Sequence, residues 1–283
     1  MGIPRNDFVR SKSQSMNMKS SSSKNLSYAT ALQWFYSNRM AIISYFLVTL
    51  TAVIFMTLEV VLSDGILSRD SCSYLLYVQK ALNSSWEEAA AVYPQIPSFP
   101  PLLMILMYQA GKLGMDVELA GRTLNLLGII FLAWGLLYCC RKLYREQLPA
   151  LCSALMLIAL PKIYLEGCDI MRDPLYWALS VWTLALILKR SEEADMTNKK
   201  YFLSFLGISL LLGLASLTRK EGVFLTALTL LWTIILNKAS WQKKLLSVLL
   251  IIFITAGILL LPKLLGVPWN MLDIFSTLED INV

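Results

Sequence analysis

Seven apolar runs constrain most strongly what this chain folds into, because each is long enough, or nearly so, to cross a bilayer as a helix. About 17 to 25 apolar residues cover the roughly 30 Å hydrocarbon core of a membrane. In a chain of 283 residues that is 57% hydrophobic and 16% charged, such a set excludes an ordinary soluble domain. The sequence predicts an all-α, polytopic transmembrane helical bundle of about seven spans, at Met40–Leu62, Arg122–Cys140, Leu148–Tyr164, Pro174–Lys189, Tyr201–Thr218, Val223–Asn237 and Leu245–Leu261.

The distribution of basic residues orients these spans. Residues 1–39 are rich in Lys, Arg, Ser and Asn, which predicts a disordered basic cytoplasmic tail before a retained signal anchor. Basic loops stay in the cytoplasm, and the seven-span threading puts Arg141–Arg145, Lys189–Lys200 and Lys238–Lys244 inside. We therefore expect an integral protein of the plasma (inner) membrane with its N terminus cytoplasmic and its active face outside. Its transmembrane domain covers residues 40–262, and a short outer tail covers residues 263–283.

The first outer loop, residues 63–121, is the longest segment between spans. Apolar periodicity predicts an amphipathic helix over Ser71–Asn83, with Asp70 or Ser71 as its N-cap. A second helix starts within Ser84–Glu88, where Ser and Glu have capping-box spacing. The proline-rich stretch Tyr93–Pro101 is expected to be extended. Pro100–Gly111, at about 18 Å as a helix, is too short to cross and is expected to lie in the outer interface. Such a large loop of interfacial helices is typical of an active-site lid or wall.

In this topology three short charged clusters all lie at the outer face of the membrane. Ionisable groups at membrane depth are costly and usually mark a substrate or ion path. Structural roles also fit, since Asp70 could cap a helix and Arg219 and Lys220 could reach the interface beside Glu221. The clusters are Arg69-Asp70-Ser71 with Tyr74, Arg172-Asp173-Pro174, and Arg219-Lys220-Glu221.

The chain has five cysteines and no histidine, which excludes a Ser-His triad and a His-ligated zinc site. Cys72 and Cys168 both fall outside, so a disulfide between them and two unrelated buried thiols are both open. The net charge of +6 is accounted for by the inner loops and the tail, and we expect no nucleic-acid partner.

Several short motifs follow one another along the outer segments in a fixed order: Asp70 with Tyr74, Trp86, Pro100-Pro101-Leu102, Gly114 with Arg122, Asp173-Pro174, and Gly213–Gly222. In this order the chain resembles the GT-C fold membrane glycosyltransferases that use polyprenyl-phosphate sugars. The resemblance is to the family that groups protein O-mannosyltransferases with bacterial lipid A aminoarabinose transferases, and it covers roughly Met40 to Pro262.

The resemblance implies a transferase that moves a sugar from a polyprenyl-phosphate carrier to a lipid, glycan or protein acceptor on the non-cytoplasmic face. It implies two catalytic acids, Asp70 and Asp173. The first would deprotonate an acceptor hydroxyl or help to hold a divalent metal ion whose full ligand set stays unassigned. Cations would neutralise the departing lipid phosphate. The implied substrate-binding residues are Tyr74, Pro100, Pro101, Lys112, Arg172, Arg219 and Lys220.

Two positions depart from the family pattern. Ser71 stands where the family commonly has a second acid, which weakens a paired-carboxylate role. Phe99 replaces a lysine that many members carry, so Lys112 or Arg69 would have to supply that phosphate contact. Members are also usually longer, which keeps a truncated, non-catalytic polyprenyl-lipid-binding relative as an alternative. A membrane transporter is a further alternative, although transporters favour broken midplane spans and repeated halves, which the sequence does not predict.

Overall fold

The computed structural model describes residues 38–62, 68–192, 197–237 and 239–269, and every regular element in these ranges is helical. A short 3-10 turn, Ile96–Ser98, lies between the third and fourth of the α-helices. The helices are α1 Asn38–Leu62, α2 Arg69–Asn83, α3 Trp86–Val92, α4 Leu102–Lys112, α5 Val117–Tyr144, α6 Gln147–Ile158, α7 Pro161–Cys168, α8 Asp173–Glu192, α9 Asn198–Thr218, α10 Gly222–Ile235 and α11 Trp241–Leu264.

The chain divides into two compact units, Met1–Phe46 and Leu47–Val283, with the boundary inside α1. The described part of the first unit is the start of α1, where the Ser44 hydroxyl donates to the Met40 carbonyl at 2.8 Å. Helices α2 to α11 belong to the second unit.

Four of the described helices, α1, α5, α9 and α11, are long and apolar enough to cross a membrane. A fifth span results if α6 and α7 count as one, since they meet at an angle of 57° across a short break. The break precedes Pro161, whose ring holds Leu160 in an extended conformation. These helices make the chain an integral membrane protein. At the other two predicted spans lie α8, which is less apolar, and α10, which has only 14 residues.

Close contact between α5 and α8 fixes the start of α8. A Cβ atom on Gly128 of α5 would lie 3.0 Å from the backbone carbon of Pro174 and 3.1 Å from the nitrogen of Leu175. The missing side chain therefore lets the first turn of α8, which begins with Asp173, pack directly on the α5 backbone.

The segment between α1 and α5 folds around an aromatic core of its own. The indole of Trp86 lies 5.5 Å from the Tyr77 ring and 4.6 Å from the Tyr108 ring, centroid to centroid. The predicted start of α3 is confirmed, because Ser85 caps it by accepting from the Glu88 nitrogen at 3.1 Å. The predicted cap of α2 was wrong: Ser68 is the N-cap and accepts from the Ser71 nitrogen, so Asp70 lies inside the first turn.

The proline-rich stretch is not extended throughout, since Ile96–Ser98 forms a 3-10 turn closed by the Phe99 nitrogen donating to the Ile96 carbonyl at 2.9 Å. The predicted short helix after it is present as α4. Protein rather than solvent surrounds its first turns, because Leu102 is buried against Leu217 of α9 and Leu259 of α11.

The predicted domain boundaries shift by a few residues where they can be compared. Helix α1 already begins at Asn38, and α11 continues to Leu264. The rest of the predicted basic tail and the end of the predicted outer tail, residues 1–37 and 270–283, lie outside the described residues.

Candidate functional site

The three charged clusters predicted from the sequence come together where α2, α8 and the α9–α10 turn meet. Arg172 lies over the Tyr74 ring of α2, with its guanidinium carbon 5.6 Å from the ring centroid. Asp173, the first residue of α8, forms an ion pair with Arg219 of the α9–α10 turn. The neighbouring residues Arg172 and Asp173 thus bring α2 and the α9–α10 turn, which lie far apart in the chain, to the start of α8.

Arg172 is held by aromatic rings. Its guanidinium carbon lies 4.7 Å from the centroid of Phe99 as well as over Tyr74. No carboxylate forms an ion pair with it in the described ranges. Burial raises the pKa of the Tyr74 hydroxyl; the Arg172 guanidinium lowers it, and the negative charges of Asp70 and Asp173 raise it again. The phenol therefore lies among one cation and both predicted catalytic acids.

Arg219, in contrast, is neutralised by carboxylates. It pairs with Asp173, whose side chain is 15% exposed, and its Nη2 lies 2.8 Å from Glu221 Oε1. Burial alone would raise the pKa of Glu221, but the hydrogen bonds and charge of Arg219 hold that pKa below its ordinary value. The guanidinium also lies over the Tyr176 ring at 5.9 Å. Asp173 and Arg219 therefore form an ion pair that joins α8 to the α9–α10 turn.

Asp70 is exposed in the first turn of α2, and its carboxylate makes no hydrogen bond or ion pair with another described residue. Its charge acts on the Tyr74 hydroxyl one turn further along the helix. Of the two predicted acids, Asp70 is therefore the one with its oxygens available to a substrate.

The remaining predicted residues are less closely grouped. Pro100 and Pro101 are buried, and Pro101 is the N-cap of α4. Lys112 lies in the last turn of α4, with its ammonium 4.7 Å from the Tyr108 ring centroid, and is not brought to Arg172. Lys220 is partly buried in the α9–α10 turn beside Arg219.

Sequence reasoning missed the role of Asp169. Its Oδ1 accepts hydrogen bonds from the Ser68 and Ile170 nitrogens, each at 3.1 Å, and from the Ser71 hydroxyl. The available signal was Ser71 itself, a small polar residue where the resembled family carries an acid. The thiols of Cys72 and Cys168 are both free, and Cys168 donates to the Met56 carbonyl at 3.5 Å.

An apolar groove of about 520 Å³ lies between α5, α8 and α9. Along α8 its wall runs from Leu175, just after Asp173, to Leu186, which is about 16 Å at the helical rise. Its ten lining residues are apolar apart from the indole nitrogen of Trp182, which donates to the Phe131 carbonyl at 2.9 Å. The groove therefore suits a hydrocarbon chain.

Within the described ranges no three or more Asp, Glu or Cys side chains are grouped so that they could hold a metal ion. We therefore assign no residue of the site to a metal ion.

No protein-family model, curated protein or solved structure matches this chain at a significant level.

Proposed function

We propose that the chain is a polytopic membrane glycosyltransferase that moves a sugar from a polyprenyl-phosphate donor to a lipid, glycan or protein acceptor on the non-cytoplasmic face. The observation that carries the proposal is that one carboxylate and one guanidinium both lie near Tyr74 without being neutralised by an ion pair with a described residue. Asp70 and Arg172 both act on Tyr74, and neither forms an ion pair within the described part of the chain. Transfer from a lipid phosphate needs one base and one cation.

In the proposed reaction Asp70 takes the proton from an acceptor hydroxyl, and the acceptor oxygen attacks the anomeric carbon of the sugar. The bond between that carbon and the phosphate oxygen breaks, and the lipid phosphate leaves with the electron pair. Arg172 stabilises the negative charge that develops on this phosphate. Its contacts with Phe99 and Tyr74 hold the guanidinium in place without neutralising it.

The apolar groove supports a lipid-linked donor rather than a soluble one. It begins beside the turn that carries Arg172 and Asp173 and follows α8 along its apolar face. A donor with its phosphate at Arg172 would lay its hydrocarbon chain there. We assign Asp173 to positioning, since its carboxylate is engaged by Arg219.

The proposed topology keeps seven spans. The bent pair α6–α7 counts as one, and α8, with 20 residues or about 30 Å, and α10, with 14 residues, count as the other two. The N terminus is then cytoplasmic, and the site faces the outside of the plasma membrane, in agreement with the basic inner loops.

The test compares membranes containing wild-type protein, Asp70→Asn and Glu87→Gln at matched abundance. Glu87 is an exposed carboxylate on α3 of the same outer segment and serves as the control. With a panel of labelled polyprenyl-phosphate sugars, we expect Asp70→Asn to lose about 10²-fold or more of the transfer rate and Glu87→Gln to keep it. Equal turnover in all three would contradict the role of Asp70. Donor binding without turnover in the wild type would favour the non-catalytic lipid-binding alternative.

A further inference from the structure

A buried contact joins the start of α2 to the connection between α7 and α8. Ser71 is fully buried, and its hydroxyl donates to the carboxylate of Asp169, 98 positions later in the chain. The same hydroxyl accepts from the Ile170 nitrogen at 3.1 Å. Asp169 also accepts from the Ser68 nitrogen at 3.1 Å, so both ends of the first turn of α2 are attached to it.

The α7–α8 connection is itself fixed to α5. The side-chain amide of Asn125, which is fully buried, donates to the Asp169 carbonyl. Arg122, one turn earlier, donates from Nη1 to the Cys168 carbonyl at 2.9 Å. The backbone at Cys168 and Asp169 is therefore attached to α5, and the Asp169 carboxylate holds the start of α2.

Both residues of this contact are close in sequence to residues of the proposed site. Ser71 directly follows Asp70, and Asp169 shortly precedes Arg172. The Asp70 side chain is exposed and has no hydrogen bond or ion pair with another described residue to orient it. The distance between Asp70 and Arg172 therefore depends on the contacts that hold the first turn of α2.

We propose that Ser71 and Asp169 form a latch that positions Asp70 against Arg172. Asp169 is then a positioning residue, and the kinetic consequence of the latch rests on the proposed function. A misplacement of about 1 Å at a reacting group can lower a rate by about 10²-fold, so an intact latch is needed for transfer.

The pair can be broken and rebuilt by exchanging its partners. Ser71→Asp alone brings two carboxylates together in a buried place and opens the latch. The double variant Ser71→Asp with Asp169→Ser restores one carboxylate and one hydroxyl in reversed order. An acid at position 71 also suits the first turn of α2, where it faces the helix dipole three residues after the Ser68 cap. Loss of the hydroxyl alone is tested with Ser71→Ala.

The first readout is the alkylation of two cysteines, which requires no enzyme activity. Cys168, beside Asp169, is 7% exposed, whereas Cys72 is exposed. Alkylation of the full chain in detergent, followed by peptide mass spectrometry, gives the ratio of Cys168 to Cys72 labelling rates. We expect this ratio to rise about tenfold or more in Ser71→Asp, since a hydrogen bond to a charged group is lost, and to return to the wild-type value in the double variant. An unchanged ratio in Ser71→Asp, or no recovery in the double variant, overturns the latch.

The second readout is sugar transfer. We expect kcat to fall about 10²-fold in Ser71→Asp and to recover in the double variant, while the KM for the lipid donor stays the same because Arg172 and the groove are intact. Labelling that changes without any change in kcat overturns the positioning role. If the wild type transfers no sugar, the proposed function fails, and the labelling ratio still decides whether the latch exists.

Discussion

Two arginines of the site carry the same charge but differ in what surrounds them. Arg219 lies between the carboxylates of Asp173 and Glu221, whereas Arg172 lies against the rings of Phe99 and Tyr74. An aromatic ring attracts a guanidinium but does not cancel its charge. Arg172 therefore keeps its attraction for an anion, while the charge of Arg219 is balanced by its two carboxylate partners.

The buried hydroxyl group of Tyr77 leads to a prediction about the stability of the fold. Burial raises its pKa to about 12, and its hydroxyl is buried with no hydrogen-bond partner among the described residues. Tyr77→Phe keeps the ring contacts with Trp86 and Tyr93 and removes the unsatisfied group. We expect the free energy of unfolding to stay the same or rise by up to about 1 kcal/mol, measured by thermal unfolding in detergent. A large drop in melting temperature would mean that the hydroxyl has a partner.

Glu221 gives a pH prediction. Its pKa is lowered in the folded protein, so its contribution to stability is present above the ordinary value of 4.5 and is lost as the pH falls through the lowered value. Melting temperatures from pH 7 to pH 3 should therefore fall less steeply for Glu221→Gln than for the wild type at the acidic end. Glu87→Gln, an exposed change on α3, should follow the wild type. Parallel curves for all three proteins would show that Glu221 gains nothing from Arg219.

Helix ends, more than helix bodies, build the site. Arg172 ends the α7–α8 connection, Asp173 opens α8, and Arg219 follows the last residue of α9. The α9–α10 turn is tight enough to bring Arg219 back against α8. It can be so tight because Gly222 has no side chain where the backbone of α9 passes close by.

Gly222→Ala should therefore disturb the turn. A Cβ atom there would lie 2.4 Å from the Ser216 nitrogen and 2.6 Å from the Ala215 carbonyl carbon, and backbone atoms cannot rotate away. We expect a loss of about 1 to 3 kcal/mol in the free energy of unfolding, together with slower transfer as Arg219 moves. The matched control is Gly257→Ala on α11, where nothing lies within 4 Å; it should leave stability unchanged or raise it by up to about 1 kcal/mol. Equal effects of the two changes would contradict the crowding argument.

At the scale of the whole molecule, the proposed site needs its three contributing segments on one side of the membrane. That condition depends on α8 crossing, because α8 carries Asp173 at one end and leads to Lys199 and Lys200 at the other. The basic residues beyond α8 favour the cytoplasm.

Native Cys72 makes this topology testable. It is exposed on α2, so a membrane-impermeant maleimide should label it in intact cells. A cysteine introduced as Lys200→Cys, at an exposed position, should be labelled only after permeabilisation, because α8 then separates the two residues. Labelling of both cysteines in intact cells would mean that an even number of spans separates them, and the seven-span topology, which puts three spans between them, would be wrong.

The sequence alone determined that the chain is helical, where its longest apolar helices lie and where α3 starts. Apolar length and capping are properties of neighbouring residues, so they can be recognised without knowing the fold. The apolar runs predicted α5, α9 and α11 near their observed bounds, and the serine before Trp86 predicted the cap of α3. The cap of α2 was misplaced because Asp70, Ser71 and Ser68 are all suitable capping residues.

The tertiary structure alone decided which charged groups are available for chemistry. In the sequence Arg172 and Arg219 look alike, as do Asp70 and Asp173, and only helix packing brings Asp173 to Arg219 across 46 positions. Ser71 finds Asp169 across 98 positions for the same reason. Side-chain partners at such distances depend on the relative placement of whole helices, which local patterns do not contain. The distinction between Arg172, which lies against aromatic rings, and Arg219, which is paired with Asp173, therefore comes from the fold.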